Sequence, residues 1–92
     1  MRGRILIVED EIAIRNGLKA RLEAGGFEVA TANNGRDGVA AFGASPFDLV
    51  VMDVMMPVMD GFEACKAIRE KDKATPIQLF DKSGKETIKT FM

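Results

Sequence analysis

The stretch Phe47-Asp48-Leu49-Val50-Val51-Met52, running directly into Asp53, decides the fold. A short, nearly continuous apolar run with β-branched residues at its centre predicts a strand buried on both faces. Such strands belong to parallel sheets, where helices cover either side. Val54 to Gly61 follows as a loop, marked by Pro57 and by Asp60-Gly61.

Working outward, the same alternation appears on both sides. Ile5-Leu6-Ile7-Val8 is a second run of this kind, ended by Glu9-Asp10-Glu11. Ile14, Leu18 and Leu22 then recur every fourth residue among Arg15, Lys19, Arg21 and Glu23, the pattern of an amphipathic helix. Gly25-Gly26 stops it. Phe27, Val29 and the small residues to Ala32 alternate, which suits a strand at a sheet edge. Asn33-Asn34-Gly35 has helix-starting character, and Arg36 to Ala44 reads as a weak helix because Gly38 and Gly43 both cost helical stability. Pro46 ends that helix. Downstream, Phe62, Cys65, Ile68 and Arg69 lie three to four apart before the charged run from Arg69 to Lys73. Thr75-Pro76 leads into a fourth strand, Ile77 to Phe80. Strands alternating with helices at this spacing imply right-handed βαβ crossovers and one α/β domain over residues 1–92.

Composition narrows the chemistry. The 92 residues carry a net charge of −1, with 47% hydrophobic and 29% charged residues, so nothing draws the chain generally to nucleic acid or an anionic membrane. One cysteine, Cys65, excludes an intrachain disulfide. The absence of His, Trp and Tyr excludes a His-based triad, a histidine metal site and an indole stacking platform. Only four apolar residues follow Arg4, too few for a signal peptide or a membrane span, and a cytoplasmic location is expected.

In an open parallel sheet, ligands collect beyond the carboxyl ends of strands at the point where strand order reverses. Two strands here end in acid: the first in Glu9 and Asp10, the third, its expected neighbour, in Asp53. Carboxylates that converge repel one another and call for a cation or a raised pKa. Mg²⁺ takes oxygen ligands and often joins carboxylates to a phosphoryl group. A main-chain carbonyl just after Asp53 could complete the donor set, and a metal-bound carboxylate can attack phosphorus to give an aspartyl-phosphate.

The segments Ile-Leu-Ile-Val-Glu-Asp-Glu (5–11) and Asp48-Leu-Val-Val-Met-Asp-Val-Met-Met-Pro-Val-Met-Asp-Gly-Phe62 closely resemble the receiver domain of bacterial two-component response regulators. The resemblance runs in register from about Arg4 to Leu79 and includes Pro76. It implies a flavodoxin-like fold and a phosphorelay role in which Asp53 accepts a phosphoryl group from a histidine kinase or a small phosphodonor. It further implies Mg²⁺ bound directly by Asp10 and Asp53, by Glu9 directly or through water, and by the Met55 carbonyl, with Pro57 and Gly61 shaping the loop. Such a domain is not an enzyme beyond self-catalysed phosphotransfer and dephosphorylation, and it acts through a downstream protein partner.

The sequence departs from the family pattern at its end. Where receivers carry Ser or Thr after the fourth strand, this chain has Asp81, and the Lys that ends a fifth strand would fall beyond Met92. Lys82 is the nearest substitute cation, although a solvated Lys is the simpler reading. The expectation is a shortened sheet of about four strands, with residues 1–80 matching the family and 81–92 atypical. Its exposed fourth-strand edge would invite a homodimer. A phosphoryl group adds about two negative charges, which a fourth carboxylate would oppose. An alternative is therefore a degenerate, truncated or engineered fragment serving as a phosphorylation-independent interaction or folding module. A metal-dependent phosphohydrolase would need a gripping cation and a general acid, and neither can be nominated. Met52 is expected in the core, with Met55, Met56 and Met59 as packing filler.

Overall fold

The computed structural model describes residues 3–81. Lys82, and the tail from it to Met92, lie outside the described residues. The elements are β1 (Arg4–Val8), α1 (Ile12–Ala24), β2 (Glu28–Ala32), α2 (Gly35–Ala44), β3 (Leu49–Asp53), α3 (Gly61–Lys71) and β4 (Ile77–Phe80). The four strands form one parallel sheet in the order β2-β1-β3-β4. The α/β class, the parallel sheet and the edge position of the alternating strand follow the sequence expectation.

Local chemistry explains the helix starts. Asn34 caps α2, its side chain accepting the Asp37 N–H at 2.8 Å. Asp60 and Glu63 form a reciprocal capping box at α3, each side chain accepting the other's backbone N–H. Two expected glycine roles are sharpened. Gly38 costs helix propensity, but a Cβ there would sit 2.7 Å from Val8 Cγ2, so its absence lets α2 lie close on β1. Gly61 opens α3 beside the end of β3, where a Cβ would come 2.5 Å from the Asp53 carbonyl.

The core lies between the sheet and the pair α2 and α3. Leu6, Val8, Val50, Met52, Ile77 and Leu79 project into it and meet Ala64, Cys65 and Ile68 of α3. α1 lies on the other face, against β1 and β2, and none of its residues is fully buried. Here the expectation for β3 is corrected. Val50 and Met52 are sealed under α2 and α3, but Leu49 and Val51, which point to the α1 side, are only half-buried. Two further corrections concern the third strand and its loop. The strand begins at Leu49, and Arg4 contacts the residues before it: its N–H donates to Asp48 Oδ2, its Nη1 donates to the Pro46 carbonyl, and its guanidinium lies 4.6 Å from the Phe47 ring centre. Among the loop methionines Met56 is buried and Met59 half-buried, as packing residues should be, but Met55 is 58% exposed.

Candidate metal centre

β1 and β3 run side by side with Val8 opposite Met52. The next residue of each strand is Glu9 and Asp53, so the register alone brings these two acids together. β1 leads away to β2 on one side and β3 to β4 on the other, which makes this the point where the strand order reverses. Glu9 and Asp53 are fully buried and Asp10 is half-buried. One carboxylate oxygen from each of the three lies within 4.8 Å of the others. The three acids singled out in the sequence are thus gathered at one place.

Hydrogen bonds hold Glu9 and the end of β3. The Glu9 N–H donates to the Ala32 carbonyl at 3.0 Å, extending the β1–β2 ladder by one residue. The Glu11 N–H donates to Glu9 Oε2 at 2.8 Å, and Arg15 Nη1 donates to the Glu9 carbonyl at 3.1 Å. On the other strand the Met55 N–H donates to Asp53 Oδ1 at 3.0 Å, fixing the rotation of that carboxylate. The Val54 N–H reaches the Phe80 carbonyl at 3.0 Å, and the Gly61 N–H reaches the Val54 carbonyl at 3.1 Å, so β4 and α3 both brace the residue after Asp53.

The loop past Met55 turns sharply. The Met59 N–H donates to the Pro57 carbonyl at 2.8 Å around Val58, whose φ is 73°. That is a three-residue turn with its central residue in the left-handed region, a strained position for a β-branched side chain. Asp81, expected at the end of β4, lines a cleft of about 600 Å³ with Val54, Met55, Met56, Asp60 and Phe62.

Sequence reasoning missed Arg15 and the amides of Glu11 and Met55. One signal for Arg15 was present: it is the fourth residue of α1, near the positive end of the helix dipole, where a cation is disfavoured unless something offsets it. Cys65 stands apart from this chemistry. It is buried under the sheet, and burial pushes its thiol up, an effect the Arg69 charge partly opposes.

The donor set consists of hard carboxylate oxygens alone, two of them from fully buried side chains, which suits a hard divalent cation and not a thiophilic one. Such a centre can neutralise converging acids and present one of them to an electrophile.

Comparison with known proteins identifies the family. The family model described as the response regulator receiver domain matches residues 5–91. The transcriptional regulatory protein ResD of Bacillus subtilis is 42% identical over 83 residues, which is 90% of this chain and 34% of that protein. AfsQ1 of Streptomyces coelicolor is 44% identical over 75 residues, 82% of this chain and 33% of its own length. The chain therefore spans about a third of the length of these curated relatives. Among solved structures, the chemotaxis protein CheY4 of Vibrio cholerae superposes with a TM-score of 0.82 at 41% identity, covering 86% of this chain and 68% of CheY4. The response regulator TrrA of Thermotoga maritima, solved in complex with the histidine kinase ThkA, gives a TM-score of 0.80 at 41% identity over 85% of this chain and 67% of its own. The match over nearly the whole chain and the acids at the strand reversal lead to one assignment: this chain belongs to the response regulator receiver domain family.

Proposed function

We propose that the chain is a phosphoacceptor module of a phosphorelay, with Asp53 taking a phosphoryl group from a histidine kinase or a small phosphodonor. The observation that carries this reading is the buried Asp53 carboxylate at the end of β3, with carboxylate oxygens of Glu9 and Asp10 within 4.8 Å. Glu9, Asp10, Asp53 and the Met55 carbonyl are assigned to hold Mg²⁺, which would supply charge neutralisation for the acids and the incoming phosphoryl oxygens. The TrrA–ThkA complex supports a kinase as phosphodonor, and TrrA has also been solved with Mg²⁺ and beryllofluoride.

The chain's own residues would work as follows. The Met55 N–H holds Oδ1 of Asp53, and Oδ2 is assigned to attack phosphorus. With a kinase phosphohistidine as donor, a new P–O bond would form as the donor's P–N bond breaks, the electron pair leaving with the imidazole nitrogen. With a small phosphodonor the bond from phosphorus to that donor's leaving group would break, the pair leaving with it. Glu9, anchored by the Glu11 amide and Arg15, and Asp10 beside it would present their carboxylates at the same end of the sheet. A cytoplasmic setting and a downstream protein partner fit this role. Among the described residues β4 is paired only with β3, and a second copy could add there. Sedimentation that shows a monomer at high concentration would remove the homodimer.

Exposure to a small phosphodonor with Mg²⁺ tests the central claim. The expected product is one phosphate per chain, acid-stable and alkali-labile, and absent in Asp53→Asn. No uptake, together with an NMR spectrum unmoved by beryllofluoride and Mg²⁺, would overturn it. Asp81 favours a second reading, because it adds negative charge to the cleft beside Met55 and Asp60. A phosphorylation-independent interaction module would bind its partner equally well in wild type and Asp53→Asn.

A further inference from the structure

We infer that Arg15 is a positioning residue for the acidic centre, and that its bond to the Glu9 carbonyl governs how tightly the centre holds a divalent cation. The inference rests on the Mg²⁺ reading above and adds to it a residue outside the donor set.

Among the described residues, the Glu9 N–H donates to the Ala32 carbonyl, its carboxylate accepts the Glu11 amide and its carbonyl accepts Arg15 Nη1 at 3.1 Å. The first two fix the strand end and the side chain. The third acts on a different unit. The Glu9 carbonyl belongs to the planar peptide that joins Glu9 to Asp10, so clamping it fixes the direction in which the chain presents Asp10. Asp10 is the half-buried member of the three acids, and the least constrained by burial.

The placement of Arg15 supports this reading. The α1 N-cap, Glu11, makes no side-chain capping bond, and the first turn carries no acidic residue. An arginine four residues into that helix works against the helix dipole. Its half-buried guanidinium is instead turned back toward β1, where it meets a carbonyl beside two carboxylates.

Two effects of Arg15 on a bound cation have opposite signs. Its positive charge near the centre repels a divalent ion, so losing it should tighten binding. Its clamp on the Glu9–Asp10 peptide aligns the donors, so losing it should loosen binding. Residues that orient metal ligands typically change affinity by about 10–100-fold when removed, and we assign the larger weight to the clamp.

The test is a divalent-cation titration of the full chain, with Mn²⁺ followed by electron paramagnetic resonance and Mg²⁺ by NMR. Arg15→Ala should bind about tenfold more weakly than wild type, Arg15→Lys should also weaken, and Arg21→Ala, at the far end of α1, should match wild type. Before any metal is added, the Glu11 amide resonance should shift in both Arg15 variants while those of Ile68 and Leu79 stay in place. Arg15→Ala binding as tightly as wild type, or more tightly, would overturn the inference. If Arg15→Ala does not fold, Arg15→Lys decides: unchanged affinity overturns the inference, and weakened affinity supports it. Failure of wild type to bind either ion would instead overturn the metal reading itself, and this inference with it.

Discussion

On one face of the sheet, α2 and α3 seal Leu6, Val8, Val50, Met52, Ile77 and Leu79 from water. On the other face, among the described residues, α1 lies over β1 and β2, and Leu49, Val51, Gln78 and Phe80 are half-buried. Leu49 and Val51 are as apolar as Val50, yet their surroundings differ. Burial along β3 follows the face to which a residue points, not its own polarity. The acidic centre sits at the end of both faces, with Gly61 and α3 supporting it from the closed side and Arg15 of α1 from the open side.

The largest test of this contrast compares equal deletions on the two faces. Ile68→Ala in α3 should cost about 3 kcal/mol, in the range for a fully buried aliphatic side chain. Leu18→Ala in the half-buried α1 should cost about 1 kcal/mol. Equal losses in urea unfolding would break the distinction. The glycines sharpen it through sign. Gly38→Ala drives a Cβ to 2.7 Å from Val8 and should destabilise by about 1–2 kcal/mol despite the better helix former. Gly17→Ala meets nothing within 4 Å and should stabilise α1 by about 0.5–1 kcal/mol.

The loop above the closed face offers a smaller effect. Val58→Asn should stabilise the fold by about 1 kcal/mol, because Asn tolerates the φ of 73° better and the exposed Val side chain loses little packing. Thermal melts of the two proteins would show it. The smallest effect lies at the opposite end of α3. The Thr75 hydroxyl and the amides of Thr75 and Ala74 donate to Asp72 and hold its carboxyl down to about 2, from an ordinary value of 3.8. Because the folded value is depressed, the stabilisation is complete above 3.8 and disappears as the pH falls through about 2. Melting temperatures of wild type and Asp72→Asn should therefore differ at neutral pH and converge near the acid end of that window.

Strand identity, strand order at the edge and the three acids were legible in the sequence. Each rests on a local pattern: a continuous apolar run, an alternating one, or a run that ends in carboxylates. What stayed hidden depends on partners far along the chain. The role of Gly38 is a contact with Val8, and helix propensity reports only its cost. The half-open state of Leu49 and Val51 depends on what packs over their face, which an apolar run does not report. Arg15 reads as one more polar residue of an amphipathic helix until the turn before it places the Glu9 carbonyl within its reach. The left-handed backbone at Val58 has no sequence signal, since a valine ordinarily argues against it.

The pairing of Val8 with Met52 carries one more consequence, for folding fidelity. Side chains alternate along a strand, so a slip of one residue between β1 and β3 would send Asp53 to the opposite face from the one it now shares with the sheet end. A misregistered chain could still collapse around its apolar strands, but the three carboxylates would not meet. Any measurement that reads the acidic centre therefore also proofreads strand alignment. A cation that binds only the gathered acids would draw misaligned chains toward the native register by mass action.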